Sequence, residues 1–166
     1  MDDVASFEDY VVARSAGLQR FAYLVCGDAG EAGELVQSAL VGLYPRWAEV
    51  VERGDPEAYV RRSIVNAQVT AWRRRRREWP TGDPSVLDRV SPGDLAAKVT
   101  DAELVEKLFE VLAPRQRAVL VMRFYERRSF SEIALACGCA EATARSLVHR
   151  ALAVLRAHLS AGSSHD

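Results

Sequence analysis

Two basic stretches of the chain hold the residue types that bind nucleic acid. The first is a run of five arginines, Arg73–Arg77, that directly follows Trp72. One or two cations are enough to balance the dipole at the end of a helix, whereas five in a row repel one another unless a polyanion neutralises them. Aromatic rings beside cations suit unstacked bases. The run therefore favours phosphate binding, although Trp72 and Trp79, each taken alone, are better interpreted as core residues.

The second basic stretch has helix-turn-helix form. Ser129 and Glu132 fit a capping box, Gly138 fits a turn, and a longer helix is predicted to start near Ala140 or Glu141. The second helix of such a unit lies in the major groove of DNA. The candidate contacts lie on its polar side: Thr143, Arg145, Ser146, His149 and Arg150. Arginine reaches guanine or phosphate, and hydroxyls reach phosphate. The alternative is a solvated basic face on a core helix.

The charge of the chain is segregated along its length. The 166 residues carry a net charge of −1, which by itself argues against a nucleic-acid partner. By segment, however, the net charge is −7 for residues 1–60, +6 for 61–78, −4 for 79–114 and +4 for 115–166. Of the 22 cations, 20 are arginines. The two basic segments can therefore meet a polyanion, while the two acidic segments can meet basic protein surfaces or repel DNA.

The sequence offers no basis for catalysis, a cofactor or a metal site. It lacks the glycine-rich phosphate loops, the His-Glu-x-x-His pattern and the Gly-x-Ser-x-Gly pattern. The cysteines are Cys26, Cys137 and Cys139, too few for a closed four-ligand zinc site, and we interpret them as reduced thiols of a cytoplasmic protein. No apolar stretch approaches the length of a membrane span and the acidic start is unlike a secretory signal. We therefore expect a cytoplasmic protein without membrane contact of its own.

Apolar periodicity predicts an all-α protein of two small helical domains joined by a flexible acidic linker. Helical patterns run over residues 7–25, 35–47 (with a kink or break at Pro45) and 56–77, the last one capped by Asp55. Tyr59, Val60, Ile64 and Ala67 are expected on the buried side of that third helix. Residues 79–100 are rich in proline, glycine and acidic side chains and form the predicted linker. Further patterns begin with the stripe Leu104–Leu112 and a largely buried element at 118–124. The final helix buries a stripe from Ala144 to Leu159.

Motifs in both halves of the chain resemble a known family. They are Gly27-Asp28, Glu34-Leu35-Val36-Gln37, Ala39-Leu40, Tyr44-Pro45-Arg46-Trp47, Asp55-Pro56-Glu57-Ala58-Tyr59-Val60-Arg61-Arg62 and Val65-Asn66, and then Ala113-Pro114-Arg115-Gln116-Arg117-Ala118-Val119-Leu120, Tyr125-Glu126, Ser131-Glu132-Ile133-Ala134 and Thr143-Ala144-Arg145-Ser146. In this order they resemble regions 2 and 4 of the extracytoplasmic-function (group 4) sigma factors of bacterial RNA polymerase. The arginine-rich end of region 2 is similar to that of the actinobacterial type.

The resemblance implies a division of the chain and a role for each part. Residues 1–78 are expected to form region 2, 79–100 the linker, 101–160 the region 4 helix-turn-helix, and 161–166 a polar tail. Core RNA polymerase would be bound by Glu34, Leu35, Gln37, Leu40 and Tyr44. The minus-ten promoter element would be melted by Arg61, Arg62, Asn66, Trp72, Arg73, Arg74, Arg75 and Arg76. The five candidate residues of the last helix would read the minus-thirty-five element of promoter DNA.

The implied function is promoter-specific initiation, with an anti-sigma factor as a further expected partner and no chemistry performed by the chain itself. The alternative is a stand-alone helix-turn-helix regulator whose N-terminal domain senses a signal or dimerises. We also expect the free protein to bind DNA poorly, because acidic segments shield the basic ones until polymerase separates the two domains.

Four positions depart from the family pattern. Gly33 and Ser38 stand where relatives usually have acidic residues, which affects the expected affinity for polymerase. Ala140 stands where the recognition helix usually has a serine cap, which costs about 0.5–2 kcal/mol of local stability. Leu147 replaces a common arginine on the groove-facing side and removes one contact to phosphate or base.

Overall fold

The computed structural model describes residues 6–78 and 110–162, apart from the side chain of Leu159. The predicted linker at 79–100, the residues up to 109 of the stripe Leu104–Leu112, and residues 163–166 of the predicted tail lie outside this range. Within the described residues every regular element is helical and no strand occurs, which confirms the all-α prediction.

The N-terminal unit, residues 6–78, is a set of helices with well-formed caps. Ser6, Asp28 and Asp55 each accept a hydrogen bond from the backbone amide three residues on, at 3.1, 2.8 and 3.0 Å. Gly27 ends the first helix in the left-handed region at φ +84°. The elements are α1 (Phe7–Cys26), α2 (Ala29–Leu43), a 3₁₀ turn (Tyr44–Arg46), α3 (Trp47–Arg53) and α4 (Pro56–Glu78).

The C-terminal unit, residues 110–162, contains the predicted helix-turn-helix. The Ser129 hydroxyl accepts from the amide of Glu132 and the Glu132 carboxylate accepts from the amide of Ser129, both at 3.1 Å, so the capping box is confirmed. Gly138 adopts φ +65° between the two helices of the motif. The elements are α5 (Pro114–Leu120), a π-helical turn (Val121–Tyr125), α6 (Phe130–Cys137) and α7 (Glu141–Gly162).

The pattern over residues 35–47 is interrupted at Pro45, as expected. Proline cannot donate the backbone hydrogen bond that would continue α2, and a 3₁₀ turn follows α2 instead.

Two expectations about buried residues were wrong. Ala67 is exposed, because the buried stripe of α4 runs through Val60, Ile64 and Gln68. Phe124 is 58% exposed, because the π-helical turn inserts an extra residue and rotates it out of the buried stripe.

The two units pack against each other and share one hydrophobic core. Helix α4 lies against α6, and α1 lies against α5. The buried cluster is continuous from Phe21 and Ile64 in the N-terminal unit to Met122 and Ile133 in the C-terminal unit. We call this packing the closed arrangement.

Arg117 also joins the two units. Its Nη1 donates to the carbonyl of Val25 in α1 at 3.1 Å, and its Nε donates to the carbonyl of Leu112 at 2.7 Å. Burial lowers the pKa of Arg117 to about 10.

The shared core makes a testable prediction about cooperativity. Replacing the fully buried Ile133 by alanine should lower the free energy of unfolding by about 2–5 kcal/mol, because it leaves a cavity in the common core. All three tryptophans precede residue 80, so intrinsic fluorescence during urea unfolding reports on the N-terminal part of the chain. Its midpoint should fall in Ile133→Ala and stay unchanged in Leu135→Ala, at an exposed position of the same helix. A variant that loses helical circular dichroism while the tryptophan transition stays in place would show two independent cores.

Candidate nucleic-acid interface

The polar face of α7 is open to solvent along its first half. Ala144, Val148 and Ala151 are buried against α5 and α6. The residues on the other side are exposed, as predicted: Thr143, Arg145, Ser146, His149 and Arg150. The guanidinium of Arg145 pairs with Glu141 at 3.0 Å and lies 5.1 Å from the ring centre of Phe130. These contacts hold Arg145 near the start of α7, where a recognition helix meets base edges.

The start of α7 lacks a side-chain cap. The carbonyl of Ala140 accepts the first helical bond, from the amide of Ala144 at 3.0 Å, which places Ala140 at the cap position. A methyl group cannot accept from the amides of the first turn. The same motif therefore has a fully capped first helix, begun by Ser129, and an uncapped second helix.

The second half of α4 carries an exposed row of arginines, Arg73–Arg77. The guanidinium of Arg76 lies 4.7 Å from the ring centre of the half-buried Trp72, and Arg75 pairs with Glu31 of α2 at 3.7 Å. Asn66 is exposed about two turns before Arg73. A long helix with a solvated row of forked cations can follow a phosphate backbone.

Arg61 occupies a different environment from the other candidate DNA contacts, since it is only 3% exposed. Its guanidinium pairs with Glu57 one turn earlier and with Glu126 of the C-terminal unit, where the Nε to Oε1 distance is 3.3 Å. Burial disfavours the charge, but the hydrogen bonds and charges of the two carboxylates outweigh burial and raise the pKa of Arg61. The residue is therefore charged and fully paired in the closed arrangement.

Arg62 is exposed, and its guanidinium lies against the turn of the helix-turn-helix. A Cβ atom at Gly138 would stand 2.5 Å from the Cζ of Arg62. Glycine at this turn can therefore adopt a positive φ, and its lack of a side chain leaves room for the guanidinium of Arg62 from α4. The structure thus brings Arg61 and Arg62 to the contact between units and leaves the arginine run and the α7 face in solvent.

A largely apolar groove of about 390 Å³ lies between α1 and α2. Of the residues expected to bind polymerase, Gln37, Leu40 and Tyr44 line it, whereas Glu34 is exposed outside the lining and Leu35 packs partly on the core. The Tyr44 ring is held by edge-to-face contact with Phe7, with ring centres 5.1 Å apart.

Sequence reasoning missed the α1 side of this groove, formed by Phe7, Val11, Ser15 and Gln19. A related signal was Val41, an exposed apolar residue of α2 that lines the same groove and that an amphipathic pattern does not single out. It also missed Glu57 and Glu126 as partners of Arg61, because neither carboxylate stands out in a charge count.

Other kinds of site receive little support from the described residues. In residues 6–78 and 110–162 no group of three or more His, Cys, Asp or Glu side chains could hold a metal ion. Burial raises the pKa of the Cys137 thiol to about 11, which keeps it protonated and a poor ligand at neutral pH. Across the same range, none of the helices is both long enough and apolar enough to cross a membrane.

Comparisons with known proteins decide the family. The model described as "Sigma-70 region 2" matches residues 12–78, and the one described as "Sigma-70, region 4" matches residues 102–155. The chain belongs to the sigma-70 family. It is an RNA polymerase sigma factor of the extracytoplasmic-function group, which binds core polymerase and promoter DNA and directs transcription initiation.

Relatives of this sigma factor match along nearly its whole length. It is 38% identical to the RNA polymerase sigma-E factor of Streptomyces avermitilis, over 95% of this chain and 87% of that one. It is 37% identical to the sigma-E factor of Streptomyces coelicolor, over 96% and 89%. The fold is similar to that of the sigma factor RpoE of Bartonella quintana, solved in complex with the anti-sigma factor NepR, with a TM-score of 0.67, 22% identity and coverage of 93% and 96%.

The uncapped start of α7 makes a prediction about stability. Ala140→Ser supplies an acceptor for the first-turn amides and should raise the free energy of unfolding by about 0.5–1 kcal/mol in urea melts. Ala142→Ser makes the same change two residues later, inside the helix, where the hydroxyl has no free amide to cap. Equal effects of the two substitutions would contradict a capping defect at Ala140.

Proposed function

We propose that residues 1–78 of this sigma factor bind core RNA polymerase and melt the minus-ten element, and that residues 101–160 read the minus-thirty-five element. The observation that carries the proposal is that the protein has two separate exposed basic surfaces, one on α4 and one on α7. Each surface has the features that its expected DNA target requires. Duplex reading needs a helix face with side chains free to enter a groove, and α7 has one. Capture of a melted strand needs cations with aromatic rings, and the end of α4 has both.

Melting would rest on the exposed part of α4. Arg73, Arg74, Arg75 and Arg76 hold phosphates of the non-template strand, while Asn66 and Trp72 contact bases that leave the stack. The contact of Arg76 with the Trp72 ring supports this arrangement, because a cation fixed over an aromatic face presents a phosphate site next to a stacking surface. In this proposal Arg61 and Arg62 extend the strip toward the N-terminal end of α4.

The groove between α1 and α2 is the proposed contact for core polymerase. Leu40 and Tyr44 offer apolar surface, Gln37 offers an amide at its edge, and Glu34 adds an acidic group on the same helix. Such a groove fits an amphipathic helix laid along it. Gly33 and Ser38 leave the helix less acidic than the family pattern, so apolar contact would supply a larger share of the affinity.

Three further parts of the proposal follow from membership of the family. The chain performs no reaction itself, since the polymerase makes the transcript. Its site of action is the cytoplasm, where polymerase and promoter are found. An anti-sigma factor is its proposed regulator, as RpoE of Bartonella quintana was solved with NepR.

The direct test is run-off transcription. Purified core polymerase with this chain should produce promoter-dependent transcripts, and the chain should co-purify with core. A protein that bound duplex DNA alone and never started transcripts would be a stand-alone regulator instead.

The arginine run makes a quantitative prediction. Replacing Arg73–Arg76 by glutamine should lower the slope of log affinity against log salt for promoter binding by holoenzyme by about 3, since each phosphate contact contributes about 0.7–0.9. Arg53→Gln, at an exposed arginine of α3 outside the proposed DNA site, is the control and should leave the slope unchanged. An unaltered slope in the fourfold variant would assign the run to helix structure.

The groove makes a separate prediction for polymerase binding. Val41→Asp places a charge on the apolar lining at a 67% exposed position and should weaken affinity for core about tenfold or more, because buried apolar anchors dominate such interfaces. Val12→Asp, 84% exposed and outside the lining, is the matched control. Titration of core against fluorescently labelled protein measures both, and equal losses would place the contact elsewhere.

A further inference from the structure

The ring of Phe130, the first residue of α6, has an arginine against it from each of the two neighbouring elements. The Cζ atom of Arg123, from the π-helical turn, lies 4.1 Å from the ring centre, and that of Arg145, from α7, lies 5.1 Å from it. The face of an aromatic ring attracts a cation at such distances. We call these three side chains the arginine–phenylalanine cluster. It connects the element before the helix-turn-helix to the helix that is proposed to read DNA.

Local contacts fix the position of the Phe130 ring. The capping box of Ser129 and Glu132 sets the backbone of the first turn of α6 around it. The ring is half-buried and packs partly on the hydrophobic core. Arg123 is also half-buried, and its Nη1 donates to the carbonyl of Arg128 at 3.2 Å. The ring and the first arginine therefore form a fixed support at the surface.

Arg145 is the exposed member of the arginine–phenylalanine cluster. Its side chain is 58% exposed, yet its Nη2 donates to Glu141 at 3.0 Å and its guanidinium lies by the Phe130 ring. An arginine that reads guanine must place both prongs of its fork on the O6 and N7 atoms of the base. A side chain that is already ordered loses less rotamer freedom when it binds. The ring can therefore influence base reading without touching a base.

Arg150, the other arginine on the proposed reading face, has different surroundings. Among the described residues it has neither a carboxylate partner nor an aromatic ring against it. A long unsupported cation suits the phosphate backbone, which requires charge and little orientation. The contrast assigns selection of a base to Arg145 and general affinity to Arg150.

We propose that Phe130 is a positioning residue for promoter recognition: its ring orients Arg145, which selects a guanine in the minus-thirty-five element. Phe130 acts through the arginine and does not itself contact DNA. Arg123 supports the same ring from the other side of the sequence. The inference rests on the proposed role of α7 in reading that element, and it names the group that determines how selectively one base pair is read.

The test measures base preference rather than affinity alone. Holoenzyme is allowed to select from a promoter fragment that supports run-off transcription and whose minus-thirty-five segment is randomised, and the bound DNA is sequenced. Phe130→Leu removes the ring and keeps an apolar side chain, whereas Phe130→Tyr keeps the ring. Arg145→Ala removes the reading group. Phe124→Leu is the matched control, because Phe124 is 58% exposed on the π-helical turn and lies outside the cluster.

Arg145→Ala should abolish the preference for guanine at one base pair. Phe130→Leu should lower the preference at that same base pair about two- to fivefold, the effect of losing an exposed cation–π contact. The double variant should match Arg145→Ala alone, because a residue that acts only through another adds nothing once the other is gone. Phe130→Tyr and Phe124→Leu should keep the wild-type preference. Circular dichroism checks folding, and Phe130→Met, with the same expected result, replaces a leucine variant that does not fold.

Three results would overturn the inference while leaving the proposed function in place. They are a loss in Phe130→Leu at a different base pair, a uniform loss of affinity with unchanged preference, and a further loss in the double variant beyond Arg145→Ala. Each would show that the ring touches DNA or only stabilises α6. Wild-type preference in Arg145→Ala would instead reject the proposed reading by that arginine, and the inference with it.

Discussion

A buried guanidinium needs carboxylate partners, and at Arg61 those partners come from both units of the chain. Glu57 is one turn away on the same helix, but Glu126 is 65 residues later in the sequence. Neither carboxylate can leave without stranding a charge in a poorly solvated place, which is among the more costly defects in a protein. This requirement fixes α4 against the C-terminal unit. The contacts between α4 and α6, and the contact between Arg62 and Gly138, depend on the same position of α4 relative to the C-terminal unit.

Helix α4 consequently has two halves with different surroundings. At 1.5 Å per residue its 23 residues span about 35 Å. The first half is enclosed by α1, α2 and α6, and its buried cation, Arg61, is balanced by two carboxylates of the protein. The second half extends into solvent, and its arginine row is largely unbalanced. The net charge of −1 is the balance of 22 basic and 23 acidic side chains, and some of the acidic ones, such as Glu57 and Glu126, are partners of Arg61 inside the protein. Near-neutrality of the whole chain is thus compatible with a strongly basic surface at one place.

Much of the fold could be predicted from patterns among neighbouring residues. Contacts between residues far apart in the sequence could not. Ser129 and Asp55 cap their helices because capping involves only the next three residues. The exposure of the α7 face followed from its apolar stripe. The burial of Arg61 was not predictable in this way, because it depends on a carboxylate supplied by a distant part of the chain. The π-helical turn that exposes Phe124 changes the helical period itself, so a fixed 3.6-residue pattern cannot locate it.

The geometry of a promoter imposes a constraint that the closed arrangement cannot meet. Elements centred near positions −10 and −35 are about 25 base pairs apart, or about 85 Å along straight duplex DNA at 3.4 Å per base pair. A compact chain of 166 residues has a radius of gyration of about 15 Å. In the proposed assignment α4 binds the first element and α7 the second. Because α6 lies directly on α4, these two surfaces cannot reach both elements together while the units remain packed. Separation of the units would therefore break the ion pair between Arg61 and Glu126 and would also divide the apolar core that the two units share.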